Sequence, residues 1–191
     1  LLVAILLGIT LFALFALTVG SAQVQSPWRY IFDRSLAGSG RDIIWDIRFP
    51  RVIAALLVGM ALGVAGALSQ SATNNPLADP SIIGTSAGAS LGASLAVVLG
   101  FASIGTLGTT VAATIGALIA SLVTFALSRS VLQLVIVGIA TSALFTAVTG
   151  LMISVADKPE ARSISFWSFG SLALANSNTL ALLTPLVIVT S

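Results

Sequence analysis

The sequence predicts an all-α fold, a polytopic transmembrane helix bundle of about six spans. Three observations lead there: 57% of the 191 residues are hydrophobic, only 7% are charged, and the mean hydropathy is +1.11. A soluble domain carries roughly a quarter charged residues, so this chain cannot clothe a core in water-facing surface. At about 20 apolar residues per span, its length suits a single transmembrane domain over residues 1–191 and leaves nothing for a separate soluble domain.

The first element is the apolar run of residues 1–19. The small residues Val19-Gly20-Ser21-Ala22 resemble a signal-peptidase site. A signal peptide has a charged leader and an apolar stretch of about 7 to 15 residues; this run is longer and starts without charge. It is expected to be a first transmembrane helix whose cytoplasmic leader is missing. Residues 26–51 hold Trp28, Tyr30, Trp45 and most of the charges, the composition of an interfacial segment with an aromatic belt. The second span is placed at 52–70 and the third at 82–101. Between them Asn74-Asn75-Pro76-Leu77-Ala78-Asp79-Pro80 forms a turn. A fourth span fits 107–127 and a fifth 131–156, with Ser128-Arg129-Ser130 as a tight connection. Asp157-Lys158-Pro159-Glu160-Ala161-Arg162 ends the fifth. The sixth begins near Phe169 and is still apolar at Val189, so the domain is expected to be incomplete at its C-terminus.

The composition also excludes. There is no Cys and no His, which removes disulfide frameworks, zinc sites, His-ligated haem, thiol catalysis and His-based triads. Eight basic and six acidic side chains are too few and scattered for a nucleic-acid surface. Gly84-Thr85-Ser86-Ala87-Gly88-Ala89 is glycine-rich at a helix start, but no Lys follows, so the phosphate-loop pattern fails and ATP is not bound here. The acidic residues lie in connections, leaving no intramembrane carboxylate for a proton relay. No catalytic residue, metal site or cofactor is expected.

Small residues recur at helix-packing spacing: Gly59, Gly63 and Gly66, then Gly84, Gly88 and Gly92. Such rows let backbones approach closely. On the fifth span Ser142, Thr146 and Thr149 fall at i, i+4 and i+7, one face of a helix. They either line a polar path or bond to a neighbouring helix or their own i−4 carbonyls. Taken alone, the residues favour the second reading. Arg48 and Arg51 bracket Pro50, which is tolerated in a first helical turn.

Arg48-Phe49-Pro50-Arg51, Gly59, Gly66-Ala67, Gln70, Asn75-Pro76-Leu77-Ala78-Asp79-Pro80 and Gly84-Thr85-Ser86-Ala87-Gly88-Ala89 together resemble the FecCD family of ABC permeases. Gly138 and Trp167-Ser168-Phe169-Gly170-Ser171-Leu172 resemble weaker signatures of the same family. The resemblance implies the N-terminal three-fifths of a roughly ten-helix permease, with the ATPase-coupling region beyond residue 191. It implies an importer of iron-siderophores, haem or related chelates in the bacterial cytoplasmic (inner) membrane. Its partners would be a substrate-binding protein outside, ABC ATPases inside, and a second permease copy or paralogue, all amid membrane lipid. ATP hydrolysis would belong to those partner subunits.

By that similarity Arg48 and Arg51 dock the binding protein, pairing with its carboxylates. Asn75, Pro76 and Leu77 form a cytoplasmic gate, and Ser142, Thr146 and Thr149 line the translocation path, which puts their two readings level. Asn74 stands where many relatives have a basic residue, a difference expected to alter surface charge and little else. Alternate connections hold Arg29, Arg34, Arg41, Arg48, Arg51, Lys158 and Arg162 on one side against Arg129 on the other. The positive-inside rule puts the larger group in the cytoplasm, the resemblance puts it outside, and the expected orientation follows the resemblance. The alternative function is an ion-coupled secondary transporter, which calls for charged residues within spans or broken helices in two matching halves. An intramembrane enzyme would need a nucleophile with a base or a metal cluster, and none is available.

Overall fold

The computed structural model describes residues 1–33, 35–101, 106–173, 175, 180, 181, 184 and 187, with Thr106 described in its backbone alone. The chain divides into two compact units, residues 1–61 with 172–191 and residues 62–171. Every regular element among the described residues is helical.

In the first unit, α1 (Leu2–Thr18) carries no charged side chain and exposes apolar residues nearly all round. Its 17 residues rise about 26 Å, a little short of a hydrocarbon core of about 30 Å. The short helix α2 (Pro27–Phe32) starts on proline, whose missing N–H has no partner in a first turn anyway. Next, α3 (Ser39–Asp42), a π-helical segment (Ile43–Arg48) and α4 (Phe49–Thr73) form one helical run of 35 residues. The segment expected to be merely interfacial is therefore partly helical, and the second span starts well before residue 52. Pro50 sits inside this run instead of opening it. In an α-helix its ring would meet the carbonyl four residues back. The π turn ahead of it, in which the Phe49 N–H reaches the Ile44 carbonyl five residues back, widens the helix at the place where the proline must fit.

In the second unit, α5 (Thr85–Val98) follows a 3-10 turn (Pro80–Ile83) and a left-handed Gly84. Its 14 residues rise about 21 Å, so the span expected at 82–101 is too short to cross a bilayer as one helix. The antiparallel partner α6 (Thr106–Leu127) packs on it backbone to backbone. Gly88 lies against the Gly116 carbonyl and Gly92 against that of Ala112, so a Cβ at either would collide. The first glycine row behaves differently: no described atom beyond the adjoining backbone of their own helix lies within 4 Å of where a Cβ of Gly59, Gly63 or Gly66 would be.

Helix α7 (Val131–Val155) is capped by Ser130, whose hydroxyl accepts the Gln133 N–H while Gln133 Oε1 accepts the Arg129 N–H. This reciprocal cap explains how three residues suffice to turn the chain. Helix α8 (Lys158–Phe169) occupies what was expected to be a connection. Asp157 before it, Pro159 at its start and Glu160 in its first turn are an N-terminal signature. The sixth span expected at 169–189 falls largely outside the described residues, and Phe169 itself closes α8.

Among the described residues, Ser39–Thr73, Leu107–Leu127 and Val131–Val155 are long and apolar enough to cross a membrane, with Leu2–Thr18 and Thr85–Val98 as shorter apolar helices. Several hydroxyls within these helices close on their own backbone: Thr10, Ser94, Thr114, Ser121 and Ser154 each donate to the carbonyl four residues back. These five hydroxyls are thereby satisfied without water.

Candidate functional site

Three features of the fold bear on function. The first is a cavity of about 380 Å³ in the second unit, between α5, α7 and α8. Ser142, Thr146 and Thr149 from α7 face it together, as their spacing suggested. Sequence reasoning missed the opposite wall, Ser86 and Ser90 of α5, although their i, i+4 spacing was legible; Ser81 and Ser168 complete the lining. No lining side chain is charged. Thr149 donates to the Phe145 carbonyl and Ser168 to that of Ile164, each at 2.9 Å. Ser86, Ser90, Ser142 and Thr146 make no side-chain hydrogen bond among the described residues. Their hydroxyls are neutral donors and acceptors open to whatever occupies the cavity.

The second feature is the connection over residues 74–84. Helix α4 ends in a Schellman motif, with the Asn74 N–H on the Ser71 carbonyl and the Asn75 N–H on that of Gln70. Asn74 adopts the left-handed conformation at φ 48°, which asparagine tolerates better than a β-branched residue. Its role is thus in the backbone, which the reading of surface charge did not include. Asn75 Oδ1 then accepts the Leu77 N–H at 3.0 Å and Asp79 Oδ1 the Ser81 N–H at 2.7 Å, two side-chain turns in succession. The Ser81 hydroxyl and N–H hold the Asp79 carboxyl below its usual range. These turns present Leu77 with 87% of its surface exposed while tucking Ala78 in.

The third feature is the arginine pair in the first unit. Arg48 is buried at 8% exposure; its Nη1 donates to the Leu17 carbonyl at 2.9 Å and its Nη2 to that of Ala22. Gly20 lies so close that a Cβ there would stand 3.0 Å from Nη2. Arg51 is exposed and donates through Nη2 to the Ala173 carbonyl at 3.1 Å. The pair thus serves two environments. Nearby, Trp45 Nε1 donates to the Tyr30 carbonyl at 2.8 Å and its ring lies 4.9 Å from that of Phe49. Tyr30 packs on Gly40, where a Cβ would force the Tyr30 ring to shift. No group of His, Cys, Asp or Glu among the described residues is arranged to hold a metal ion.

Comparison with known proteins bears on the family and the fold. The chain is 35% identical to the hemin transport system permease protein HmuU of Yersinia pestis over 97% of its own length and 59% of that protein's. It is 31% identical to the molybdate import system permease protein MolB of Haemophilus influenzae, covering 90% of this chain and 55% of MolB. A solved structure described as an inward-facing conformation of a putative metal-chelate type ABC transporter matches with a TM-score of 0.81 at 29% identity, over 97% of this chain and 59% of that one. The chain therefore spans somewhat over half the length of the proteins it matches. The FecCD transport family matches residues 5–191, and this chain belongs to that family, as a multi-pass protein of the cytoplasmic membrane.

Proposed function

We propose that this chain forms part of a permease subunit of an ATP-binding-cassette importer that moves a metal chelate, of the iron-siderophore or haem type, into the cytoplasm. The observation that carries the reading beyond family membership is the uncharged, hydroxyl-lined cavity between α5, α7 and α8. A transport path must hold its cargo weakly enough to release it. Hydroxyls exchange with water at little cost, whereas a fixed charge would trap a charged chelate. In this reading Ser142, Thr146 and Thr149 line the path with Ser86 and Ser90, and Asn75, Pro76 and Leu77 form the gate at its cytoplasmic end. The docking element for a substrate-binding protein is the Arg48 and Arg51 pair, with Arg51 offering the accessible guanidinium and Arg48 holding the end of α1 beside it. Energy comes from separate ATPase subunits, and a second permease copy completes the path.

The test uses the full-length permease, reconstituted in proteoliposomes with its ATPase and binding protein and offered ferric siderophore, haemin, cobalamin or molybdate. ATP-dependent uptake of a chelate is expected. Thr146→Trp, which fills the cavity, should reduce that uptake at least about tenfold while leaving assembly intact. Uptake that persists without the ATPase and follows an imposed ion gradient would sink the proposal in favour of a secondary transporter.

A further inference from the structure

A threonine in a helix ordinarily closes its hydroxyl on a carbonyl three or four residues back, as Thr114 and Thr149 do. Thr124 on α6 departs from that habit. It has no exposed surface, and its Oγ1 donates at 2.9 Å to the carbonyl of Ile83, 41 residues away in sequence. Ile83 is the last residue of the 3-10 turn that ends the 74–84 connection, where carbonyls run out of partners within the turn. The preceding carbonyl, that of Ile82, lies hard against Gly138 on α7, where any Cβ would collide with it. Between the two clamps Gly84 turns the chain at φ +86°, where an added Cβ would touch Thr141 and Ser142. Upstream, the two side-chain turns at Asn75 and Asp79 make the connection stiff. A stiff connection held at its far end transmits displacement along its length.

We propose that Thr124 is the positioning residue of the gate: its hydroxyl latches the 74–84 connection to α6, so that Asn75, Pro76 and Leu77 move with the α6–α7 pair instead of independently. The inference rests on the gate reading of those three residues. An Ile83 carbonyl left dry and unpartnered is costly, so loss of the hydroxyl should free the whole connection.

The experiment compares Thr124→Val, which keeps the shape and removes the donor, with Thr124→Ser, which keeps the donor. Backbone hydrogen exchange is measured on the full-length permease with its ATPase in lipid nanodiscs, and chelate uptake per ATP is measured in parallel. The Val variant should accelerate exchange of the Ala78, Ile82 and Gly84 amides, bonded in the connection, by about tenfold. Exchange across residues 111–122 of α6 should stay unchanged, ATP consumed per chelate should at least double, and the Ser variant should match the parent. The latch is overturned if the Val variant leaves those amides within about twofold of the parent, if α6 loosens equally, or if Ser behaves like Val. Faster exchange with unchanged uptake and unchanged ATP cost overturns the assignment by removing the gate reading beneath it. The exchange data tell that failure apart from failure of the latch.

Discussion

Replacing Arg48 tests whether a guanidinium holds the end of α1. Its two acceptors lie 31 and 26 residues upstream, one in the last turn of α1 and one just after it. The last carbonyls of a helix have no intrahelical partner. A hydrogen bond to a charged group contributes about 1.5–3 kcal/mol, so two sum to about 3–6 kcal/mol. Water entering at the helix end recovers part of this, leaving a cost near 3 kcal/mol for Arg48→Ala. Arg48→Glu costs more, about 5 kcal/mol, because it adds a negative charge where the helix dipole is already negative. Arg48→Lys falls between, since one ammonium lacks the fork that reaches two carbonyls. The assay is thermal unfolding of the detergent-solubilised full-length permease. At roughly 2 °C per kcal/mol for a chain of this size, the Ala variant should unfold about 6 °C earlier. Arg51→Ala, at an exposed side chain with one hydrogen bond among the described residues, should stay within about 1 °C. An unchanged midpoint for Arg48→Ala, or an equal loss for Arg51→Ala, would refute the reasoning. A double Arg48→Glu, Arg51→Glu variant mixes loss of fold with loss of docking, so only the Arg51 change probes the partner cleanly.

Arg51→Glu alone should therefore insert and unfold like the parent yet bind the substrate-binding protein at least about tenfold more weakly at low salt, with part of the affinity restored when acidic residues on that protein become Arg; equal affinity by surface plasmon resonance would make Arg51 a membrane-interface anchor. The Asp79 turn should depend on pH. Its carboxyl is held below the usual range in the folded state, so the turn's contribution is complete above about pH 4 and is lost as pH falls through the lowered value. Fluorescence from a label at Leu77→Cys should report loosening only on that acid side and not in Asp79→Asn, whereas loosening on the alkaline side would contradict the assignment.

Hydropathy made the bundle legible because spans announce themselves by length and absence of charge. Helix α6 begins within one residue of its expected start, and Ser128-Arg129-Ser130 is the connection foreseen. Charge misled where it outweighed capping chemistry: Lys158, Glu160 and Arg162 read as a loop although Asp157 and Pro159 mark a helix start. Pro50 read as a beginning because nothing in the sequence announces a π turn that accommodates a proline mid-helix. The partners of Arg48 were invisible because backbone carbonyls carry no sequence identity. A count of arginines by side treats every guanidinium as free, yet this one is committed to its own chain, which weakens such a count as a guide to orientation.

The two readings of the α7 hydroxyls separate by partner, and the partners divide along the helix. A hydroxyl facing lipid has a single remedy, its own backbone, and exposed Ser154 donates to the Gly150 carbonyl in that way. A hydroxyl facing water or cargo needs none. Thr149, buried, closes on Phe145, while Ser142 and Thr146, two turns and one turn nearer the start of α7, have no side-chain bond among the described residues and share the cavity with Ser86 and Ser90. Four hydroxyls on two helices around one cavity, without a side-chain bond among the described residues, support the proposed path more strongly than their spacing does. The same logic distinguishes the glycines. Gly88, Gly92 and Gly138 are filled by neighbouring backbone, so their lack of a side chain is used within this chain. At Gly59 and Gly63, by contrast, no described atom beyond their own helix lies within 4 Å of where a Cβ would stand, so their lack of a side chain is not used by the described residues of this chain.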